Sequence, residues 1–169
     1  MIGHPIGSAL IDIQVQQHLA ERLSHVQHLL PMTPELMAEK MMLGKFERFK
    51  CNFGAPGMNV PKLPLFVPGL QFGADYPLAG IRDSCIEVSQ ATIRPIFDSQ
   101  VDMMIALIEE QLLSLQKYRP GEQVSYLLVS GGLGSSEYVQ SRLKSHFEAG
   151  QGAATPNARS MRLILAESP

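Results

Sequence analysis

The stretch from Val124 to Phe147 constrains the fold more than any other part of the chain. Val124, Tyr126, Leu127, Leu128 and Val129 form a run too apolar for a half-exposed strand, and it reads as a buried central strand. Ser130-Gly131-Gly132-Leu133-Gly134-Ser135-Ser136 follows at once, and then a helix from about Glu137 to Phe147 with Val139, Leu143 and Phe147 inward. A strand that passes through small residues into a helix brings backbone N–H groups and the positive helix end to the sheet edge. Glycines there, lacking Cβ, let a nucleotide approach. Three motifs with this layout are incomplete. A Walker-type phosphate loop needs a lysine, and Gly134-Ser135-Ser136 has none. A dinucleotide fingerprint needs a third glycine where Glu137 stands, and a hydrolase elbow needs a serine at the centre of Gly-x-Ser-x-Gly. By itself the loop is either a ligand site or a tight strand-to-helix turn.

Helical spacing marks three further segments. From about Ala9 to Leu30, Ile11, Ile13, Val15, Leu19, Leu23, Val26 and Leu30 recur mostly at steps of three or four. A second helix starts near Thr33, where Thr33, Pro34 and Glu35 supply a cap, a residue preset for the first turn and an anion near the positive end. It carries Leu36, Met37, Met41, Met42, Phe46 and Phe49 before Gly54 ends it. The widest apolar face runs from about Gln90 to Leu115, through Ile93, Phe97, Val101, Ile105, Ile108 and Leu112. From Phe53 to Gly80, prolines at 56, 61, 64, 68 and 77 exclude helix and leave short extended runs such as Leu63 to Val67, as edge strands or ordered loop. A small-residue linker, Ala149 to Ala154, leads to a last strand, Met161 to Leu165. The order predicts an α/β layer with an inserted smaller lobe.

Composition narrows the function class. The 169 residues hold 14 Lys plus Arg against 16 Asp plus Glu, a net charge of −2 that offers phosphate backbones no basic field, so no nucleic-acid partner is expected. No apolar run approaches the roughly 20 residues that cross a bilayer, and the N-terminus lacks the secretory pattern of basic residues before an apolar stretch. A cytoplasmic chain without a membrane partner is expected. Cys51 and Cys85 fit a reducing compartment and are expected as buried thiols. His18, His25 and His28 read as surface and boundary histidines, and no metal site is expected. Met37, Met41 and Met42 read as adaptable core, Glu109 and Glu110 as a solvated helix face, and Glu47 with Lys50 as a surface ion pair. Mean hydropathy near neutral, with nine Met and no Trp, is high for a self-contained domain and raises the question of a partner-seeking apolar surface.

The stretch from Tyr126 to Leu143, Tyr-Leu-Leu-Val-Ser-Gly-Gly-Leu-Gly-Ser-Ser-Glu-Tyr-Val-Gln-Ser-Arg-Leu, resembles the adenosine motif of the actin-like ATPase superfamily. In wording it is closest to the divergent relatives of the seventy-kilodalton heat-shock chaperones that are numerous in filamentous fungi. The segment from Gly3 to Asp12, followed by Leu19 to Leu23, resembles the start of that fold's second lobe. Phe46 to Lys50 resembles the helix that covers the adenine, and Ile86 to Gln111 resembles the strand and long helix that lead into the adenosine motif. The resemblance covers nearly the whole chain, with the glycine loop strong and the proline-rich stretch weak.

This resemblance implies a partial actin-like (ribonuclease H-like) lobe: residues 1–30 and 81–169 as a core subdomain, with 31–80 an inserted smaller α+β subdomain. It implies an adenine nucleotide, ATP or ADP, held through its adenosine moiety. Gly131, Gly132 and Leu133, with Gly134 and Ser135 completing the loop, would approach ribose and base. Glu47 would accept from the ribose hydroxyls, and the apolar stem of Lys50 would pack on the adenine. Cys51 stands where the family usually has an arginine stacked on the base, a loss of about 0.5–2 kcal/mol. The family's phosphate- and magnesium-holding loops have no counterpart in these residues. Each missing charge-assisted bond to phosphate removes about 1.5–3 kcal/mol. The expectation is therefore an adenosine half-site, a fragment of a chaperone-type ATPase that is not catalytic alone, with magnesium held only by parts outside it. Its partner would be a missing first lobe. The alternative is a non-catalytic interaction fragment, or a degenerate one, that self-associates through exposed apolar surface.

Overall fold

The computed structural model describes residues 6–55, 62–148 and 155–165. They form a mixed α/β structure with two small sheets, one of three strands and one of two. No helix among the described residues is long and apolar enough to cross a membrane. The chain divides into two compact units, one of Ala9–Asn52 with Gly57–Ile96, the other of Met1–Ser8, Phe53–Pro56 and Phe97–Pro169. Residues 9–30 and 81–96 thus fall with 31–52, whereas the sequence reading grouped them with the glycine loop. For 81–96 strand pairing is the cause, because the proline-rich segment supplies a strand to a sheet whose other strands lie at 81–89, and Arg22 ties 9–30 to the same region by donating to the Ala79 and Gly80 carbonyls.

In the first of these units, α1 (Ser8–Ser24) buries Ile11, Val15, Leu19 and Leu23. It stops at Ser24 rather than Leu30. The Ser24 hydroxyl donates to the Glu21 carbonyl at 2.6 Å, and the chain tightens into a single 3-10 turn, Gln27–Leu29. Ile13 stands 47% exposed, off the buried stripe. The helix expected from Thr33 to Gly54 is two helices, α2 (Pro34–Met42) and α3 (Lys45–Cys51). Thr33 caps α2 through its hydroxyl, as expected. The break falls at Gly44, whose φ of 74° no α-helix accepts. Apolar spacing continues across it through Met37, Met41, Phe46 and Phe49, all buried.

Strand β1 (Lys62–Phe66) is an edge strand, with Pro64 on its exposed side, and pairs antiparallel with β3 (Cys85–Ser89). Strand β2 (Ile81–Arg82) flanks β3 on the other side. Leu65, Ile86 and Val88 are buried, and α2 and α3 pack against β1. A β2–β3 turn through Asp83 and Ser84, both at positive φ, buries Ser84 completely, and its hydroxyl donates to the Gln71 carbonyl at 2.8 Å. Arg22 fastens the same region. Its Nε donates to the Ala79 carbonyl at 3.0 Å and its Nη2 to the Gly80 carbonyl at 2.6 Å. Ser89 caps the long α4 (Gln90–Tyr118), accepting from the Thr92 amide at 3.1 Å.

The second unit holds β4 (Tyr126–Val129), which pairs parallel with β5 (Arg162–Leu165), the short helical turn α5 (Gly131–Gly134) and α6 (Glu137–Phe147). Its core includes Phe53, Phe97, Val101, Val139, Leu143 and Phe147. Asp98 ties α6 to the later part of α4, accepting from the Tyr138 hydroxyl at 2.5 Å and from Arg142 Nη1, while Arg142 Nη2 donates to Asp102 at 3.0 Å. Burial and the Asp98 hydrogen bond push the Tyr138 phenol pKa up. Glu109 is not simply solvated: it is half-buried and meets His146 Nε2 at 2.8 Å.

Two further expectations are corrected. Strand β4 is not buried on both faces, since Tyr126 is 63% and Leu128 65% exposed while Val129 is 9% exposed. Tyr126 and Leu128 alternate with Leu127 and Val129, so one face of the strand is left exposed among the described residues. Cys51 is exposed and Cys85 half-buried, so neither is a buried thiol. The expected linker at 149–154 lies outside the described residues.

Candidate functional site

The eight residues singled out in the sequence fall into both units. Gly131, Gly132, Leu133, Gly134 and Ser135 lie in the second, and Glu47, Lys50 and Cys51 lie in the first.

The three glycines of the turn differ in their reasons for being glycine. Gly131 leaves β4 with a φ of +84°, a conformation that costs a side chain strain. A Cβ on Gly134 would stand 2.6 Å from Val129 Cγ1, so the close approach of turn to strand requires its absence. Gly132 has neither reason. It is exposed, its φ is not positive, and a Cβ there would meet Ser8 Oγ at an ordinary 3.7 Å. Leu133 is buried and anchors the turn, and Ser135 closes it, donating from its hydroxyl to the Gly132 carbonyl at 2.9 Å.

Ser136 occupies the N-cap of α6 and is 4% exposed, yet its hydroxyl has no hydrogen-bond partner among the described residues. Gln140 Nε2 donates to the Gly134 carbonyl at 3.0 Å and fixes the turn against the first turn of α6. The turn thus presents an exposed glycine, Gly132, and leads into the eleven-residue α6, whose N-cap hydroxyl is buried without a partner among the described residues. The sequence reading missed Ser136, because a serine before a helix ordinarily satisfies itself by capping.

In the other unit, Phe46 and Phe49 anchor α3 by burial and leave Glu47 and Cys51 exposed. Lys50 does not pair with Glu47. Its Nζ donates to both carboxylate oxygens of Asp12 at 2.7 Å, and its side chain is 15% exposed. Asp12, Phe46, Glu47 and Lys50 line a recess of about 240 Å³ with Gln16, Glu39 and Met42, and Cys51 is not part of it. It is smaller than the roughly 300–1,000 Å³ of ordinary ligand pockets. Three carboxylates, Asp12, Glu39 and Glu47, face one lysine in it, a lining suited to hydroxyl and amino groups and unsuited to phosphate. Asp12 as the partner of Lys50 lies 38 positions away in sequence, with no local signal to connect them.

Among the described residues no group of three or more His, Cys, Asp and Glu side chains is arranged to hold a metal ion. His18 is half-buried and its pKa is lowered, by burial first and then by the Arg22 charge.

Comparison with protein-family models, with curated proteins and with solved structures gives no match.

Proposed function

We propose that this chain is a nucleotide-binding lobe of the actin-like, heat-shock-chaperone type that keeps adenosine contacts and does not hydrolyse ATP alone. One observation carries the reading: Gly132 is a glycine that the fold does not require, exposed on a turn whose other two glycines the fold does require. Close approach of a flat ligand to the backbone is the physical reason left for it. Within its own unit, the acidic lining around Glu47 suits hydroxyl groups such as those of a ribose. The engagement of Lys50 with Asp12 holds the lysine stem in place rather than leaving the ammonium for phosphate. On this reading Cys51 contributes no stack on the base, and the chain supplies no magnesium ligands.

Titration calorimetry with adenosine, ADP and ATP, with and without magnesium, tests this. Weak binding of similar strength for all three, indifferent to magnesium, is expected. Tight, magnesium-dependent ATP binding would show that phosphate contacts exist in this chain and would contradict the half-site reading. No heat with any of the three would remove the nucleotide altogether.

A second reading, a non-catalytic module that associates through apolar surface, is favoured by β4, where among the described residues Tyr126 and Leu128 are each more than half exposed.

A further inference from the structure

Among the described residues, strand β4 carries an unpaired edge. The Arg162 amide donates to the Ser125 carbonyl, so Ser125, Leu127 and Val129 turn their backbone groups toward β5. Backbone direction alternates along a strand, which leaves the N–H and C=O groups of Tyr126 and Leu128 facing the opposite edge. No other described strand pairs there. Edge strands are normally blunted by charge or proline. The same molecule does so elsewhere: β1 has Lys62 and Pro64, and β5 begins with Arg162. Strand β4 has neither, and its exposed face carries Tyr126 and Leu128, flanked by Ile164 at 41% exposure.

We propose that this edge pairs antiparallel with β4 of a second copy of the chain, about a twofold axis through Leu127. The proposal rests on the second reading above and specifies its surface. Directly opposed residues of an antiparallel pair share a face, so the register must set Tyr126 or Leu128 against Tyr126 or Leu128 of the other copy. Centring on Leu127 does this with both: each Tyr126 faces the other copy's Leu128. All four free backbone groups of each edge are then used. Tyr126 and Leu128 of the two copies exchange four N–H to O=C bonds, and Leu127 meets its own symmetry mate in the non-hydrogen-bonded position. A strand without charged side chains opposes no like charge to itself. A sheet of two strands is marginal alone, and the pairing makes it four. The contact is the same patch on both copies, so it closes as a dimer with no second β4 edge left to extend it.

Sedimentation velocity over a wide concentration range is the first test, and a monomer–dimer equilibrium is expected. Leu128→Lys and Tyr126→Lys, both at exposed positions, should each weaken it about tenfold or more by removing two cross-strand pairs, with circular dichroism unchanged. In a Cys51→Ser background, Leu127→Cys should form a disulfide-linked dimer under mild oxidation, because the two positions face each other across the axis. Tyr126→Cys, whose symmetry mate lies off the direct pairing, should not. A dimer that survives both lysine substitutions and does not cross-link through position 127 overturns the β4 pairing while leaving association itself standing. A monomer at every concentration overturns both.

Discussion

Substituting the three glycines of the turn one at a time by alanine separates the demands of the fold from those of a ligand. Alanine at 131 must adopt a φ near +84°, a cost of roughly 1–2 kcal/mol for an L-residue. Alanine at 134 puts its Cβ 2.6 Å from Val129 Cγ1. Valine is stiff at χ1, and Val129 lies in a paired strand, so turn and strand must separate, at about 1–3 kcal/mol. Alanine at 132 meets only an ordinary contact in a helical turn, and loss of glycine's unfolded-state freedom should stabilise by about 0.5–1 kcal/mol. The spread between Gly132→Ala and either neighbour is thus about 2 kcal/mol, or about 1 M in urea midpoint at a slope near 2 kcal/mol per M. Urea unfolding followed by circular dichroism reads it directly. If Gly132→Ala falls with the other two, or if Gly131→Ala unfolds at the wild-type midpoint, the conformational reasoning about this turn is wrong.

Arg22→Lys removes a fork that donates to the Ala79 and Gly80 carbonyls, and it should cost about 1–2 kcal/mol in thermal or chemical unfolding, moderated by the part-exposure of the guanidinium; an unchanged midpoint would show that the fork is idle. His18 has its pKa lowered in the folded chain, by burial first, so the unfolded chain takes up a proton first as pH falls below 6.5, and stability should drop on acidification below that point. His18→Gln should flatten that part of the stability–pH curve, and a curve of the same slope would contradict the burial argument. Iodoacetamide followed by peptide mapping should label exposed Cys51 well before Cys85, whose thiol pKa is pushed up by burial and by Asp83.

Local chemistry made much of the fold legible. The Thr33–Pro34 cap, the edge strand tolerant of Pro64 and the helix from Glu137 to Phe147 each follow from residues within a turn or two of one another. The break at Gly44 was hidden because the apolar spacing of Met37, Met41, Phe46 and Phe49 continues through it. One glycine at positive φ separates the helices without disturbing which side chains are buried. Strand β4 misled for a different reason. Four apolar residues in succession signal burial on both faces only if a second layer exists to cover them, and that is a property of the assembly, not of the segment. The candidate site divides in the same way. The glycine turn was visible as a motif, but the distinct roles of Gly131, Gly132 and Gly134 depend on φ and on the position of Val129. Lys50 looked like the partner of Glu47 three residues earlier, and long-range folding gave it to Asp12 instead. Asp98 and Arg142 join elements that share no sequence neighbourhood.

The proposal that the glycine turn receives adenosine is tested most directly by titrating Gly132→Ala with adenosine beside the unsubstituted chain. The account predicts that the variant folds at least as stably as the parent and loses most of the adenosine binding, because the added methyl occupies the approach to the backbone. Adenosine binding undiminished in a fully folded Gly132→Ala chain would contradict it.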